Sequence, residues 1–166
     1  MTKQPSCDPS AARGAMTTPK IAIQVAPDVD AAPRAVLLRR WARAALLGIE
    51  ESGNLCIRVV GAAEMIDLNT RFRHQQGTTN VLSFGADLVT PDGGERVLGD
   101  VVICAPVVAD EAAAQNKSVA DHFAHLVVHG VLHLCGYDHE TAAEAKVMER
   151  HEVAILSTLG VDDPYR

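Results

Sequence analysis

Apolar and polar positions along the chain follow two periods, and the switches between them mark out its elements. Ile21, Ile23 and Val25 alternate as in a strand, which Pro27 ends. Over 33–50 the period lengthens: Val36, Leu37, Trp41, Ala44, Ala45 and Leu47 form a wide apolar stripe behind Pro33, which suits a first helical turn. Leu55, Ile57 and Val59 share one face of a second strand after Gly53, and a short helix over roughly 62–72 carries Met65, Leu68 and Phe72. Val81 to Phe84 reads as a third strand. After a turn at Asp92-Gly93-Gly94, Val97 to Cys104 reads as a fourth, broken at Gly99. Pro106 opens another helix that ends near Asn116.

Two further helices complete the pattern. The first starts at Ser118, with Asp121 three residues on as in a capping box, and stops at Gly136. The second runs from about Glu140 to Leu159, with Ala145, Met148, Glu152, Ile155 and Leu159 on one mostly apolar stripe. The order predicts an α+β (mixed α/β) class: a small four-stranded mixed sheet, about five helices around it, and a site at the end of a central helix. Residues 1–19, rich in Pro, Ser, Thr and Ala and without periodicity, are expected to be a disordered tail, with Met16 a second candidate start; 20–166 is expected to be one domain.

Composition narrows the function classes. At 48% apolar and 22% charged, the 166-residue chain has the balance of a soluble domain. Its net charge of −6 argues against a nucleic-acid partner on average, although a local basic patch can coexist with an acidic mean. Cys7, Cys56, Cys104 and Cys135 lie far apart with no C-x-x-C pair, which fits neither a disulfide framework nor a thiol-based zinc site. No apolar run reaches the ~18 residues of a membrane span and no secretory h-region is present, so a cytoplasmic location without a membrane partner is expected.

Chemistry concentrates in the histidines. At about 100° per residue, His122, His125, His129 and His133 fall within roughly 80° of arc on one helix face. His129 and His133, one turn apart, can reach a single ion. Gly136 stops the helix, Tyr137-Asp138 carry the chain back, and His139 arrives as a third ligand. Three imidazoles suit zinc, and three protein ligands with an open position are the catalytic arrangement. Cys135 points about 120° away from His129 around the helix, whereas Asp138 remains a candidate fourth ligand. His122 and His125 lie too far up the helix for direct ligation and read as structural or supporting residues. Gly130 occupies the slot where an H-E-x-x-H peptidase carries its general base, which disfavours peptide hydrolysis.

The run His125-Leu126-Val127-Val128-His129-Gly130-Val131-Leu132-His133-Leu134-Cys135-Gly136-Tyr137-Asp138-His139 closely resembles the signature of the YbeY family of bacterial endoribonucleases. Asn69 to Arg73, Thr79 to Phe84, Leu98 to Ile103 and Leu159 to Tyr165 resemble its other blocks, in order, with Asn80 where an Asp is usual. The resemblance implies a zinc-dependent, single-strand-specific endoribonuclease of 16S ribosomal RNA 3′-end maturation and ribosome quality control. It implies one Zn²⁺ per chain on His129, His133 and His139, with Arg73 as the active-site basic residue. It implies single-stranded RNA, ribosomal RNA, the small ribosomal subunit and assembly factors as partners. Arg73 suits that role through its planar donor fork, which matches phosphate geometry, whereas Arg71 points elsewhere. Arg39, Arg40 and Arg43, with Arg34 earlier on the same helix, are candidate RNA-backbone contacts. Two rivals stay open: a zinc hydrolase of a peptide or small ester, and a ribosome-assembly module whose zinc is structural.

Overall fold

A computed structural model describes residues 18–166 apart from Asp92, and for Asp87 its backbone only. The expected tail falls outside the described residues as far as residue 17, as do Met16, Cys7 and the first residue of the Asp92-Gly93-Gly94 turn.

The chain runs β1 (Ile21–Val25), α1 (Ala35–Gly48), β2 (Asn54–Val60), α2 (Ala62–Arg73), β3 (Val81–Val89), β4 (Arg96–Cys104), α3 (Ala105–Ala114), α4 (Val119–Leu134) and α5 (Ala142–Thr158). The four strands form one mixed sheet in the order β1-β2-β4-β3. β1 and β2 pair in parallel, as do β2 and β4, while β3 runs antiparallel to β4. The expected architecture of a four-stranded mixed sheet with five helices thus describes these residues.

Strand alternation divides the core in two. Ile57, Val59, Val101 and Ile103 point into a large cluster with α1, α4 and α5, which includes Leu38, Trp41, Phe123, Val127, Met148 and Leu156. Val60, Leu82, Val102 and Cys104 point the other way, onto Met65 and Leu68 of α2. α4 is therefore buried between the sheet and the α1/α5 pair, and past its first turn only His125, His129 and His133 are partly exposed.

Two strand limits depart from the expectation. β3 continues to Val89, five residues past Phe84, and β4 is not broken at Gly99. Instead Gly99, at φ +132°, lies across from Gly85, where the pairing register shifts before Leu88. A Cβ at Gly99 would lie 2.0 Å from the Phe84 carbonyl oxygen, so the glycine lets two backbones meet at a bulge rather than ending the strand.

Candidate metal centre

The site is built on α4 and the reversal that follows it. Ser118 caps the helix by accepting the Asp121 N–H at 3.0 Å. At the other end Gly136 adopts φ +88°, its N–H donates to His133, and the Tyr137 N–H donates to the Leu132 carbonyl. The chain doubles back, the Asp138 carboxylate accepts the His139 N–H at 2.8 Å, and α5 begins at a full capping box between Thr141 and Glu144.

This geometry brings His129, His133 and His139 together: one ring nitrogen from each lies within 4.8 Å of the others. The Nε2 atoms of His129 and His133 are 3.0 Å apart, and the His139 ring centroid is 5.5 and 5.0 Å from theirs. Burial, reinforced by the neighbouring His129 and His139, pushes the His133 imidazole below its usual range, so it offers a lone pair at neutral pH. Cys135 packs against the core, and the carboxylate of Asp138 is engaged by the backbone N–H beside it. The donor set is thus three imidazoles without a thiolate, which fits zinc with a coordination position left open.

The three histidines line a cleft of about 450 Å³ together with Arg73, Asn80 and Ser83. Arg73 is the last residue of α2, exposed, and makes no ion pair among the described residues. Arg71 instead pairs with Asp67 at 3.1 Å along its own helix. The candidate RNA contacts on α1 are not brought to this cleft: Arg39 donates to the Ile21 carbonyl at 3.0 Å, and Arg40 and Arg43 lie exposed on the same helix. A larger hollow, about 570 Å³, lies on the opposite face of the sheet between Arg58, Phe72, Phe84 and Asp100, and no histidine lines it.

Position 130 has a structural reason to be glycine. A Cβ there would sit 2.5 Å from Val101 Cγ1 on β4, and the Gly130 carbonyl accepts the Ser83 hydroxyl at 3.1 Å. The helix crosses the sheet here at close range, so no carboxylate fits in the peptidase base position.

Two residues at the site escaped the sequence reading. Glu152, 1% exposed, accepts from His129 Nδ1 at 2.7 Å, and the Tyr165 hydroxyl donates to its other oxygen. Burial pushes this carboxyl up, but bonds from His125, His129 and Tyr165 outweigh burial and hold it at about 2. Burial, and then the bond to Glu152, raises the Tyr165 phenol. The sequence carried one signal: Glu152 is the single charged member of an otherwise apolar stripe. Further up α4, His122 meets Glu111 at 2.7 Å, and Glu111 also accepts from Asn80 at 3.1 and 3.2 Å.

The family model described as Endoribonuclease YbeY matches residues 28–160. The chain is 52% identical over 138 residues to the protein named Endoribonuclease YbeY in Xanthomonas axonopodis pv. citri, covering 80% of this chain and 84% of that one. The protein of that name in Stenotrophomonas maltophilia is also 52% identical with the same coverage, and that of Nitrosococcus oceani is 50% identical over 127 residues, covering 76% and 83%. The solution structure of TM1509 from Thermotoga maritima shares the fold, with a TM-score of 0.56 at 20% identity over 86% of this chain and 92% of that one. With a matching family model across most of its length and relatives above half identity, the chain belongs to the YbeY family of endoribonucleases.

Proposed function

We propose that this protein is a zinc-dependent, single-strand-specific endoribonuclease acting in 16S ribosomal RNA 3′-end maturation and ribosome quality control. Its partners on this reading are ribosomal RNA, the small ribosomal subunit and assembly factors, and residues 20–166 act as one domain. The supporting observation is that Arg73 and the three converging histidines line one cleft in a YbeY-family chain. No described helix is long and apolar enough to cross a membrane.

His129, His133 and His139 would hold the zinc ion, which would supply a Lewis acid for phosphodiester cleavage. The guanidinium of Arg73 donates paired N–H bonds to the phosphate oxygens and stabilises the negative charge that builds on the non-bridging oxygens. Because Arg73 ends a helix packed on the sheet, its backbone is fixed before substrate arrives. Hydroxyls and amides of Thr79, Asn80 and Ser83 line the cleft beside Arg73, while Asp138 and Glu140 add carboxylates on the side of His139. Cleavage of a single-stranded RNA in parallel with its duplex, with and without chelator, tests the reading. Chelator-sensitive cutting of the single strand alone is expected, and equal cutting with chelator present would remove it.

A further inference from the structure

We infer that Glu152, oriented by Tyr165, is a positioning residue that fixes the tautomer and ring angle of His129 for metal binding. The inference rests on the metal-site reading above and deepens it. An ionised carboxylate can only accept, so the 2.7 Å contact with His129 Nδ1 places the ring proton on Nδ1. That leaves the lone pair on Nε2, the atom that lies 3.0 Å from His133 Nε2 within the converging set. With the proton on Nε2 instead, His129 would direct a donor towards His133 and His139 and could not ligate a cation there.

The carboxylate is itself held from several sides. Oε1 accepts from His129 and lies 3.5 Å from His125 Nε2, while the Tyr165 hydroxyl donates to Oε2. Tyr165 stands edge-on to His125 at a ring distance of 5.7 Å. The segment carrying it is tied down by Lys117, which donates to the Pro164 carbonyl at 3.0 Å, and by the Tyr165 N–H to Asp163 at 2.9 Å. The C-terminal residues therefore brace a carboxylate on α5, which braces an imidazole on α4. A buried carboxylate in an apolar stripe destabilises a fold unless its oxygens are satisfied, and here each oxygen has a donor. A purely structural role, clamping α5 to α4, would use the same contacts but would leave the metal affinity of the folded protein unchanged.

The test uses the full chain and zinc alone. Zinc affinity is measured by competition with a chelator for the parent, Glu152→Gln and Tyr165→Phe, and ¹⁵N spectra of the histidine rings report the His129 tautomer in the metal-free parent. Glu152→Gln keeps shape and an acceptor but loses the charge, and its affinity is expected to fall roughly ten- to hundred-fold. Tyr165→Phe is expected to weaken zinc by less, since the carboxylate remains. The parent spectrum is expected to show His129 protonated on Nδ1. Parent-like affinity in both folded variants, or a parent His129 protonated on Nε2, overturns the inference. If Glu152→Gln does not fold, the parent tautomer and Tyr165→Phe decide. A parent that binds no zinc yet shows the Nδ1 tautomer defeats the metal-site reading and leaves the orientation of His129 by Glu152 standing.

Discussion

The two halves of α4 carry the same residue on the same face and make different things of it. His122, in the first half, is buried and ends on the carboxylate of Glu111 from α3. His133, in the second half, is half-buried and faces His129 and His139 across a cleft that Arg73 also lines. His125 and His129 stand between, and both point at Glu152. Helical spacing sets the shared face, but what packs against each turn decides the chemistry. Over the first half, α3 and the C-terminal segment cover the rings; beyond Gly136 the chain turns away and brings back another imidazole, His139, with Asp138 and Glu140 beside it in the same cleft. A histidine becomes a candidate ligand where the fold turns one of its ring nitrogens towards other imidazoles.

That contrast breaks most readily at its functional end. His133→Ala removes one of three candidate ligands, so the parent is expected to carry about one zinc per chain and the purified variant to have lost most of it, as metal analysis reads directly. His122→Ala is expected to keep its zinc. Full retention by His133→Ala would erase the distinction between the halves.

Arg73→Ala is the next largest effect. Loss of one electrostatic contact to developing charge typically costs ~10²–10³ in rate, or roughly 3–4 kcal/mol. Single-turnover cleavage of single-stranded RNA is expected to slow by that much while zinc content stays at the parent level, since Arg73 is not a ligand. Arg73→Lys keeps the charge without the fork and should recover only part of the rate.

The Glu152 carboxyl predicts a pH dependence in the metal-free protein. Its value in the fold, about 2, lies below the ordinary 4.5, so folding favours the ionised form. Its contribution is therefore fully present above pH 4.5 and disappears as the pH falls towards 2; the difference corresponds to about 3 kcal/mol. Denaturant unfolding of the parent and Glu152→Gln across that window should show the gap between them closing as the pH drops. A gap independent of pH would mean that the carboxylate is not held ionised by its donors.

Much of this arrangement could be read from residues alone, and the limits of that reading have physical causes. The period of 3.6 locates α1, α2 and α5, whereas Pro106 marks α3 and Ser118 with Gly136 marks α4, and the i, i+4 histidines with Gly136 locate the histidine cluster because helical spacing and chain reversal are both local geometry. The far half of β3 was not legible: Gly85, Ala86 and Asp87 interrupt the alternation, and only pairing with β4 across the Gly99 bulge keeps the strand going. Glu152 stood out as a charge in an apolar stripe, but its partners lie 23 residues back on α4 and 13 residues on at Tyr165, contacts that no local pattern encodes. Arg39 shows another limit: spacing groups it with Arg40 and Arg43, and only the fold reveals that its Nε donates to the Ile21 carbonyl on β1.

Gly130 tests whether the middle of α4 is fixed by packing. A methyl group there would overlap Val101 Cγ1, so Gly130→Ala is expected to destabilise the fold by about 1–3 kcal/mol despite the better helix propensity of alanine. Val101→Ala in the same chain should recover part of that loss by making room. A neutral or stabilising Gly130→Ala would show that the helix can lift from the sheet, and with it that the peptidase base position is not sterically closed.

The smallest effect sharpens the comparison from the opposite end of the helix. Ser118 caps α4 by accepting the Asp121 N–H, and a serine-to-alanine change at such a position typically costs ~1 kcal/mol. The first turn it secures carries His122, whereas the candidate ligands His129 and His133 lie two and three turns further on, inside a segment buried against the sheet. Loosening the first turn therefore reaches the Glu111 contact before it reaches the metal cluster. Ser118→Ala is expected to lower the denaturant midpoint slightly while zinc content and single-turnover cleavage stay at the parent level. Hydrogen exchange should quicken only near the start of α4. If zinc affinity fell along with stability, the two halves would be one cooperative unit, and the division of labour between buried and ligating histidines would have to be drawn along the carboxylates rather than along the helix.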